Sequence, residues 1–433
     1  MLKFLIAVSI FLFSYLAIAT EKLPSSMVVV LGSTLMIATG VLSSEEALAA
    51  IDFEILALLL GMMIMVAVIA ETGIFEWIAI KIAQLVKGFP FPLLIVLSLM
   101  TAFLSAFLDN VTTIMVLTPI TILLAKQLDI TPVPFVISQA IASNIGGAST
   151  LIGDPPNLIV AAYSGYTFND FLFNLVPISI MNMVVFCLIS WLFFRKRLKV
   201  TRYRRAQLMD MDPTRAIGKF VALKRSLSIF SLVLLSFLLH RVLNLSPAVS
   251  SLLGAAFMVI VTGKNPEKIL HKVEWNTILF FAGLFVLVGG LNKVGLLKMI
   301  GEFVLVITGG SLALTSMMVL WVSSIVSSLL DNIPFTATIA PMIKNSVIPE
   351  ISHIYGDIPL SVIKGAMWWA LSLGACLGGN GTLIGASANI LASDISKKSG
   401  YKISFMEFTK YGIVFSIATT AVSAFYIWAR YLV

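Results

Sequence analysis

Charge is scarce in this chain. Of 433 residues only 12% are Asp, Glu, Lys or Arg, against 59% hydrophobic, and the mean hydropathy is +1.02. That balance excludes an ordinary water-soluble domain, whose charged share is about a quarter. Cysteine is nearly missing: Cys187 and Cys376 both lie in apolar runs, which leaves no disulfide framework and no thiolate metal cluster. His240, His271 and His353 are scattered near span ends or in loops and form no ligand set. No His-Glu metal motif, Ser-His pair or nucleotide loop is present, and GKNP at Gly263–Pro266 lacks the phosphate-loop spacing. An enzyme is therefore not expected, no cofactor is implied, and drive by ATP would need a separate subunit. The formal charge of +8 does not imply nucleic acid, because the basic residues punctuate gaps between apolar runs and are not interleaved with stacking aromatics.

What the chain has in abundance is apolar sequence of membrane length. Runs of about 17–22 residues recur, each long enough to cross roughly 30 Å of hydrocarbon at about 1.5 Å per residue. Spans are expected near 2–20, 24–42, 53–72, 134–163, 172–194, 226–243, 246–263, 275–292, 362–396 and 409–430. Two more apolar segments, 91–126 and 312–349, carry Asp-Asn at their middles and prolines within (Pro119, Pro334, Pro341), and read as helical hairpins. The first 20 residues also fit a signal peptide, with Lys3 before an apolar stretch and small residues Ala17 and Ala19, but the repeat described below uses them as its first helix.

Positive loops stay cytoplasmic. Placing the loop 195–225, with its eleven Lys and Arg, inside puts 22 of the 29 basic residues on that side and leaves Glu45, Glu46, Asp52 and Glu54 outside. The expectation is an integral, multi-pass protein of the cell membrane with both termini outside. Glu71, Glu76 and Glu274 fall near the predicted interfaces and read as solvated.

The sequence repeats itself. At an offset of 222, Gly61 matches Gly283, Gly73 matches Gly295, Asp109-Asn110 matches Asp331-Asn332 and Pro119 matches Pro341. At an offset of 232, GGASTLIGDPPN (Gly146–Asn157) lies on GGNGTLIGASAN (Gly378–Asn389) with seven of twelve positions identical. Chance similarity of greasy segments would match Leu and Ile; these matches are Gly, Asp, Asn, Thr and Pro. The expected fold is an all-α polytopic membrane protein of two repeats with five transmembrane helices each, one re-entrant hairpin and one broken helix per repeat. The first repeat covers 1–196 (hairpin 91–126, broken helix 134–163), a basic cytoplasmic linker covers 197–224, and the second repeat covers 225–433 (hairpin 312–349, broken helix 362–396). Five spans are an odd number, so the second repeat enters from the other side. Inverted repeats of this kind place a substrate site near the midplane, on helices broken there.

Helix-breaking residues in hydrocarbon are tolerated only where protein or a water-filled cavity satisfies the freed backbone. GGASTLIGDPPN and GGNGTLIGASAN interrupt apolar helices with glycines, and Pro155 and Pro156 remove two donors. Freed carbonyls attract cations and helix N-termini attract anions. An ionised Asp at the bilayer centre costs roughly 2.5–3.5 kcal/mol on the insertion scale, so matched Asp109 and Asp331 imply a role. Carboxylate, amide, hydroxyl and backbone oxygens together suit Na⁺, with a candidate site at Asp109, Asn110, Asp331 and Asn332, or the carboxylates carry H⁺. The alternative is two full spans joined by a polar surface turn.

The expected substrate and ion site comprises Asp109, Asn110, Thr112 and Thr113 at the first tip and Asn144, Gly146, Gly147, Thr150, Gly153, Asp154 and Asn157 at the first break. In the second repeat it comprises Asp331, Asn332 and Thr336, with Gly378, Gly379, Asn380, Thr382, Gly385 and Asn389. Asp154 has no counterpart, since Ala386 stands in its place; a coupling carboxylate and a plain helix cap are both open. Ser323, Ser324, Ser327 and Ser328 sit at helix-packing spacing, and Cys376 reads as a buried thiol or a soft ligand.

FLDNVTTIMVLTPITILLA, NIGGASTLIGDPPNLIV, DNIPFTATIAPM and ACLGGNGTLIGASANIL resemble the arsenite permease and P protein branch of the ion transporter superfamily, most of all the P protein group. The resemblance spans essentially the whole chain. It implies ion or substrate contact for Asp109, Asn110, Thr112, Asp331, Asn332 and Thr336. Dicarboxylate carriers of that superfamily have Ser where this chain has Asp at both tips, and Thr-Pro-Pro where it has Asp154-Pro155-Pro156, so the site is less hospitable to a dianion. The expected function is secondary transport of a small inorganic or organic anion or a metalloid, coupled to Na⁺ or H⁺ bound at the Asp-Asn tips, with the other spans as a scaffold that pairs two copies into a homodimer. A Na⁺/H⁺ antiporter and a chloride-channel-like permease are the alternatives.

Overall fold

The apolar runs fold as helices, because in hydrocarbon each backbone N–H and C=O must bond within its own segment. The computed structural model describes residues 1–19, 23–218 and 220–433; Thr20, closing the first expected span, and Lys219 of the basic linker lie outside the described residues. In chain order the helices are α1 (Leu2–Ala19), α2 (Ser25–Ala38), α3 (Ser44–Ala50), α4 (Phe53–Ala70), α5 (Ile74–Leu85), α6 (Pro90–Ser105), α7 (Asn110–Gln127), α8 (Val133–Gly147), α9 (Pro155–Ser164), α10 (Phe168–Phe194) and α11 (Arg202–Met209). They continue with α12 (Phe220–Leu238), α13 (His240–Leu243), α14 (Pro247–Thr262), α15 (Pro266–Leu270), α16 (Trp275–Lys293), α17 (Leu296–Thr308), α18 (Leu312–Leu329), α19 (Asn332–Met342), α20 (Ile348–Ile354), α21 (Leu360–Gly378), α22 (Ser387–Lys398) and α23 (Phe405–Ile427).

Among the described residues, α4, α7, α10, α12, α16, α18, α21 and α23 are long and apolar enough to cross a bilayer; α1, α2, α6 and α14 are shorter apolar helices. The two expected hairpins are α6–α7 and α18–α19. The two expected broken helices are α8–α9 and α21–α22, interrupted at residues 148–154 and 379–386.

The elements recur in the order of the sequence match. An offset of 222 carries α1–α7 onto α12 and α14–α19, and an offset of 232 carries α8–α10 onto α21–α23. Packing is exchanged between the halves: α2 lies on α16 and α14 on α4, while α7 lies on α22 and α19 on α9. Matched glycines do matched work. Gly73 and Gly295, with φ of +78° and +83°, take the left-handed turn that leads α4 into α5 and α16 into α17. Gly146 lets α8 close on Ala102 of α6, and Gly378 lets α21 close on Ser324 of α18.

Ion pairs mark the two faces. Glu71, at the end of α4, accepts from Lys264 at 2.6 Å and Lys272 at 2.7 Å, and the Gly218 N–H donates to the Thr72 carbonyl. The end of α4, the start of α16 and the segment from Arg195 to Gly218 therefore share one face, called here the basic face. On the other, Lys293 at the end of α16 pairs with Glu46 at 2.5 Å. Glu71, expected to be solvated, is instead held in this double pair: burial pushes its carboxyl up, but the two lysines outweigh that and keep it below the usual range.

Candidate functional site

Each hairpin ends in an aspartate that starts the next helix. Asp109 accepts the Thr112 N–H at 2.8 Å and the Thr112 hydroxyl, capping α7. Asp331 accepts the Ile333 N–H at 2.9 Å and the Ser387 hydroxyl at 2.6 Å, capping α19 and tying it to the second break. Both aspartates are half-buried, whereas Asn110 and Asn332 behind them are buried at 3% and 2% exposure. Thr336 bonds back to its own helix at Asn332, and the buried Thr113 hydroxyl has no partner among the described residues.

The breaks are closed by the residues that match. Thr150 donates to the Ala106 carbonyl and Thr382 to the Ser328 carbonyl, so each break is fastened to its own hairpin just before the tip. Asn157 Nδ2 donates to the Gly147, Ala148 and Thr150 carbonyls, and Asn389 Nδ2 to those of Gly379 and Thr382. The carbonyls freed by unwinding are thus satisfied by side-chain amides, as buried backbone requires. Gly147 and Gly153, and likewise Gly379 and Gly385, let the two ends of each break approach so closely that a Cβ on any of the four would meet backbone at 3.0 Å or less.

Tips and breaks converge on one polar cluster. Asn110 Nδ2 donates to Asn144 Oδ1 (3.1 Å) and to Asp154 Oδ1 (3.2 Å), and Asn332 Nδ2 donates to the same Asp154 Oδ1 (3.3 Å). Asn144 Nδ2 donates to Asn380 Oδ1 (3.0 Å) and Asn389 Oδ1 (3.1 Å), joining the first break to the second. Asn144, Asp154, Asn157, Asn380 and Asn389 are all wholly buried. Asp154 stands at the N-cap position of α9 but makes no side-chain cap bond. The tip aspartates cap, and the unmatched aspartate bridges both tips. The second half breaks the pattern at this centre: Cys376 takes the place of Asn144 and Ala386 that of Asp154. The Cys376 thiol lies against Asn157 Oδ1 at 3.6 Å, which Ser372 also bonds at 2.5 Å.

The sequence pattern of the CitMHS family, citrate transporters, matches residues 15–374. The chain belongs to that family. It is 39% identical over 434 residues to the 46 kDa membrane protein of Mycobacterium leprae, covering 99% of both chains. It is 34% identical over 465 residues to the P protein of Mus musculus, covering 88% of this chain and 54% of that one. The resemblance to the P protein group read from the motifs is therefore upheld. In fold it is similar to the Alcanivorax borkumensis YdaH transporter, with a TM-score of 0.62 at 12% identity, covering 99% of this chain and 98% of that one. The chain is a helical membrane transporter.

A cavity of about 270 Å³ reaches the second tip, lined by Tyr15, Ser26, Asn276, Asp331, Pro334 and Ser387 among others. Its mouth is at exposed Asn276, one turn from Lys272, so it opens on the basic face. A second cavity, about 310 Å³, occupies the equivalent place in the other half, with Glu54, Leu58, Leu158, Pro247 and Ala248, but touches no residue of the first tip. Among the described residues neither is lined by Lys or Arg. Tyr15, whose hydroxyl bonds Thr338 at 2.8 Å, and Ser26 and Asn276 have no local motif to announce them, and only packing brings them to the tip; Ser387 lies within the second break motif but is not among the residues expected there from sequence. Glu274 is half-buried at the start of α16, and burial, with the negative charge of Asp109, pushes its carboxyl up to about 8 against a hydrogen bond from Thr277.

Proposed function

We propose that this transporter moves a small anion or metalloid by secondary active transport, coupled to Na⁺ or H⁺ bound where the two tips meet the two breaks. The two halves insert in opposite senses, the basic face is cytoplasmic, and the hairpins with their broken helices move against the scaffold helices. One observation carries the reading: a cavity from the basic face reaches the second tip, while its counterpart stops short of the first. In a molecule with matched halves, exchanging those two conditions is alternating access.

The cavity lining selects among substrates. Among the described residues hydroxyls, an amide and Asp331 line it without a basic side chain, so an anion is expected to enter with its coupling cations or as an uncharged acid. The same lining favours, as a second reading, exchange of Na⁺ for H⁺ with no anion at all. Purified protein in liposomes separates these: uptake of citrate, arsenite or chloride is measured with and without an imposed Na⁺ or pH gradient. The first reading expects gradient-dependent uptake of one of the three, abolished by Asp109→Asn with Asp331→Asn. Cation exchange indifferent to all three supports the second reading, and single-channel currents indifferent to both gradients refute both.

A further inference from the structure

We propose that Asp154 is the residue that carries a coupling proton, and that the conformation with both tips seated on it is a proton-loaded state; this rests on the transport reading above. Asp154 is wholly buried, and both Asn110 and Asn332 donate to its Oδ1, one from each hairpin. Among the described residues its Oδ2 is buried with no nitrogen or oxygen donor, as is the neighbouring Asn110 Oδ1, and the Cys376 thiol beside the carboxyl is turned to Asn157 Oδ1 at 3.6 Å. The bridging group is therefore short of a donor and holds no spare hydrogen of its own. One proton on Oδ2 supplies that donor and leaves Oδ1 as the carbonyl oxygen facing both amides.

Among the described residues no cationic side chain faces it to neutralise a charge there. The ionisable groups facing Asp154 are Asp109 and Asp331, each one residue from an asparagine that bonds it, and the Cys376 thiol of α21. On α7 and α22 the lysines lie at the far ends, at Lys126, Lys397 and Lys398. Residues 55–70 of α4 contain no ionisable group, nor do α8 and α19. Burying a carboxylate without a counter-charge costs far more than burying the acid. Ionisation must then accompany displacement of a tip that admits water or a cation, so proton release and hairpin motion become one event. The second half, with Ala386 in this place, supplies no second such group.

The test is infrared spectroscopy of purified protein, read at the carbonyl stretch of a protonated carboxylic acid. A Glu274→Gln background removes a half-buried acid near the site whose carboxyl burial pushes up. At about pH 6, where a free aspartate is ionised, that background protein is expected to show the band, and a further Asp109→Asn, Asp331→Asn change to keep it. Adding Asp154→Asn is expected to abolish it. Absence of the band in the background protein, its loss on removing the tip aspartates, or its survival in Asp154→Asn would each overturn the proposal. If Asp154→Asn does not fold, the first two measurements decide. No substrate is present, so the outcome is independent of whether the protein transports anything.

Discussion

The close approach of α6 to α8, and of α18 to α21, lends itself to a quantitative test. A Cβ on Gly146 would stand 2.5 Å from both the Cα and the carbonyl carbon of Ala102, and one on Gly378 would stand 2.6 Å from the Ser324 Cα. Carbon atoms rest at about 3.5–4.0 Å, so each helix pair must part by roughly 1 Å. The obstacle is backbone, which cannot swing aside as a side chain can. Overpacking of this kind costs about 1–3 kcal/mol even where neighbours adjust, and here the upper end is expected.

The displacement also falls four residues before Ala106, where the hairpin begins to turn toward its tip. Shifting the tip by about the same distance takes the Asn110 bonds to Asn144 and Asp154, at 3.1 and 3.2 Å, past hydrogen-bonding reach. Gly146→Ala and Gly378→Ala should therefore both lower the thermal midpoint in detergent and both lose transport. Gly356→Ala, with nothing within 4 Å of its Cβ, should change neither. Unfolding can be followed by a maleimide dye reacting with buried Cys376 in a Cys187→Ser background. Midpoints for the two alanine variants equal to that of Gly356→Ala would refute the packing argument.

Other perturbations have equally definite outcomes. Asn144→Ala removes the partner of Asn110, Asn380 and Asn389 at once, and at about 1–3 kcal/mol per stranded buried group, softened by any water that enters, a loss of several kcal/mol is expected in reversible unfolding. Two glutamates give opposite pH signatures. Glu71, held below its ordinary value of 4.5, lends stability at pH above that value and loses it as pH falls, whereas Glu274, raised from 4.5 to about 8, lends stability in acid and loses it as pH rises through 8. Glu71→Gln should flatten the acid limb of midpoint against pH, and Glu274→Gln the alkaline one. Lastly, with Cys187→Ser and Cys376→Ser, Leu330→Cys should label from the basic face, since Leu330 lines the open cavity, while Leu108→Cys, at the equivalent place and 4% exposed, should not until the carrier is driven to its other state. Equal labelling of the two without a gradient would remove the case for one-sided access.

What was legible in the sequence is what occurs twice. Thr150 and Thr382, Asn157 and Asn389, and Gly146 and Gly378 stand out on sliding the chain over itself because each serves the same backbone need in each half, and the structure gives each pair the same partners. Repetition carries no such signal for a residue that acts once. Asp154 reads from sequence as either a cap or a coupling group, because its N-cap position is real; only the third dimension shows that its oxygen faces two hairpins instead of the start of α9. Tyr15, Ser26 and Asn276 were invisible for another reason. Tyr15 and Ser26 sit 316 and 305 residues before the tip aspartate they face and Asn276 55, and a lone polar residue in an apolar span has no spacing to betray its partner.

The division between repeated and unrepeated residues has a mechanistic reason. Two conformations related by exchange of halves can lie close in free energy only if the frame that holds each half is the same, and the matched threonines, asparagines and glycines supply that frame. A coupling group copied into both halves would set two like charges, or two protons, against each other at the shared centre. With Asn144 and Asp154 answered by Cys376 and Ala386, the centre instead holds one titratable bridge to which both hairpins answer. On the proposed mechanism, whichever hairpin leaves Asp154 must give up a hydrogen bond to the same oxygen, so that one atom senses both gates.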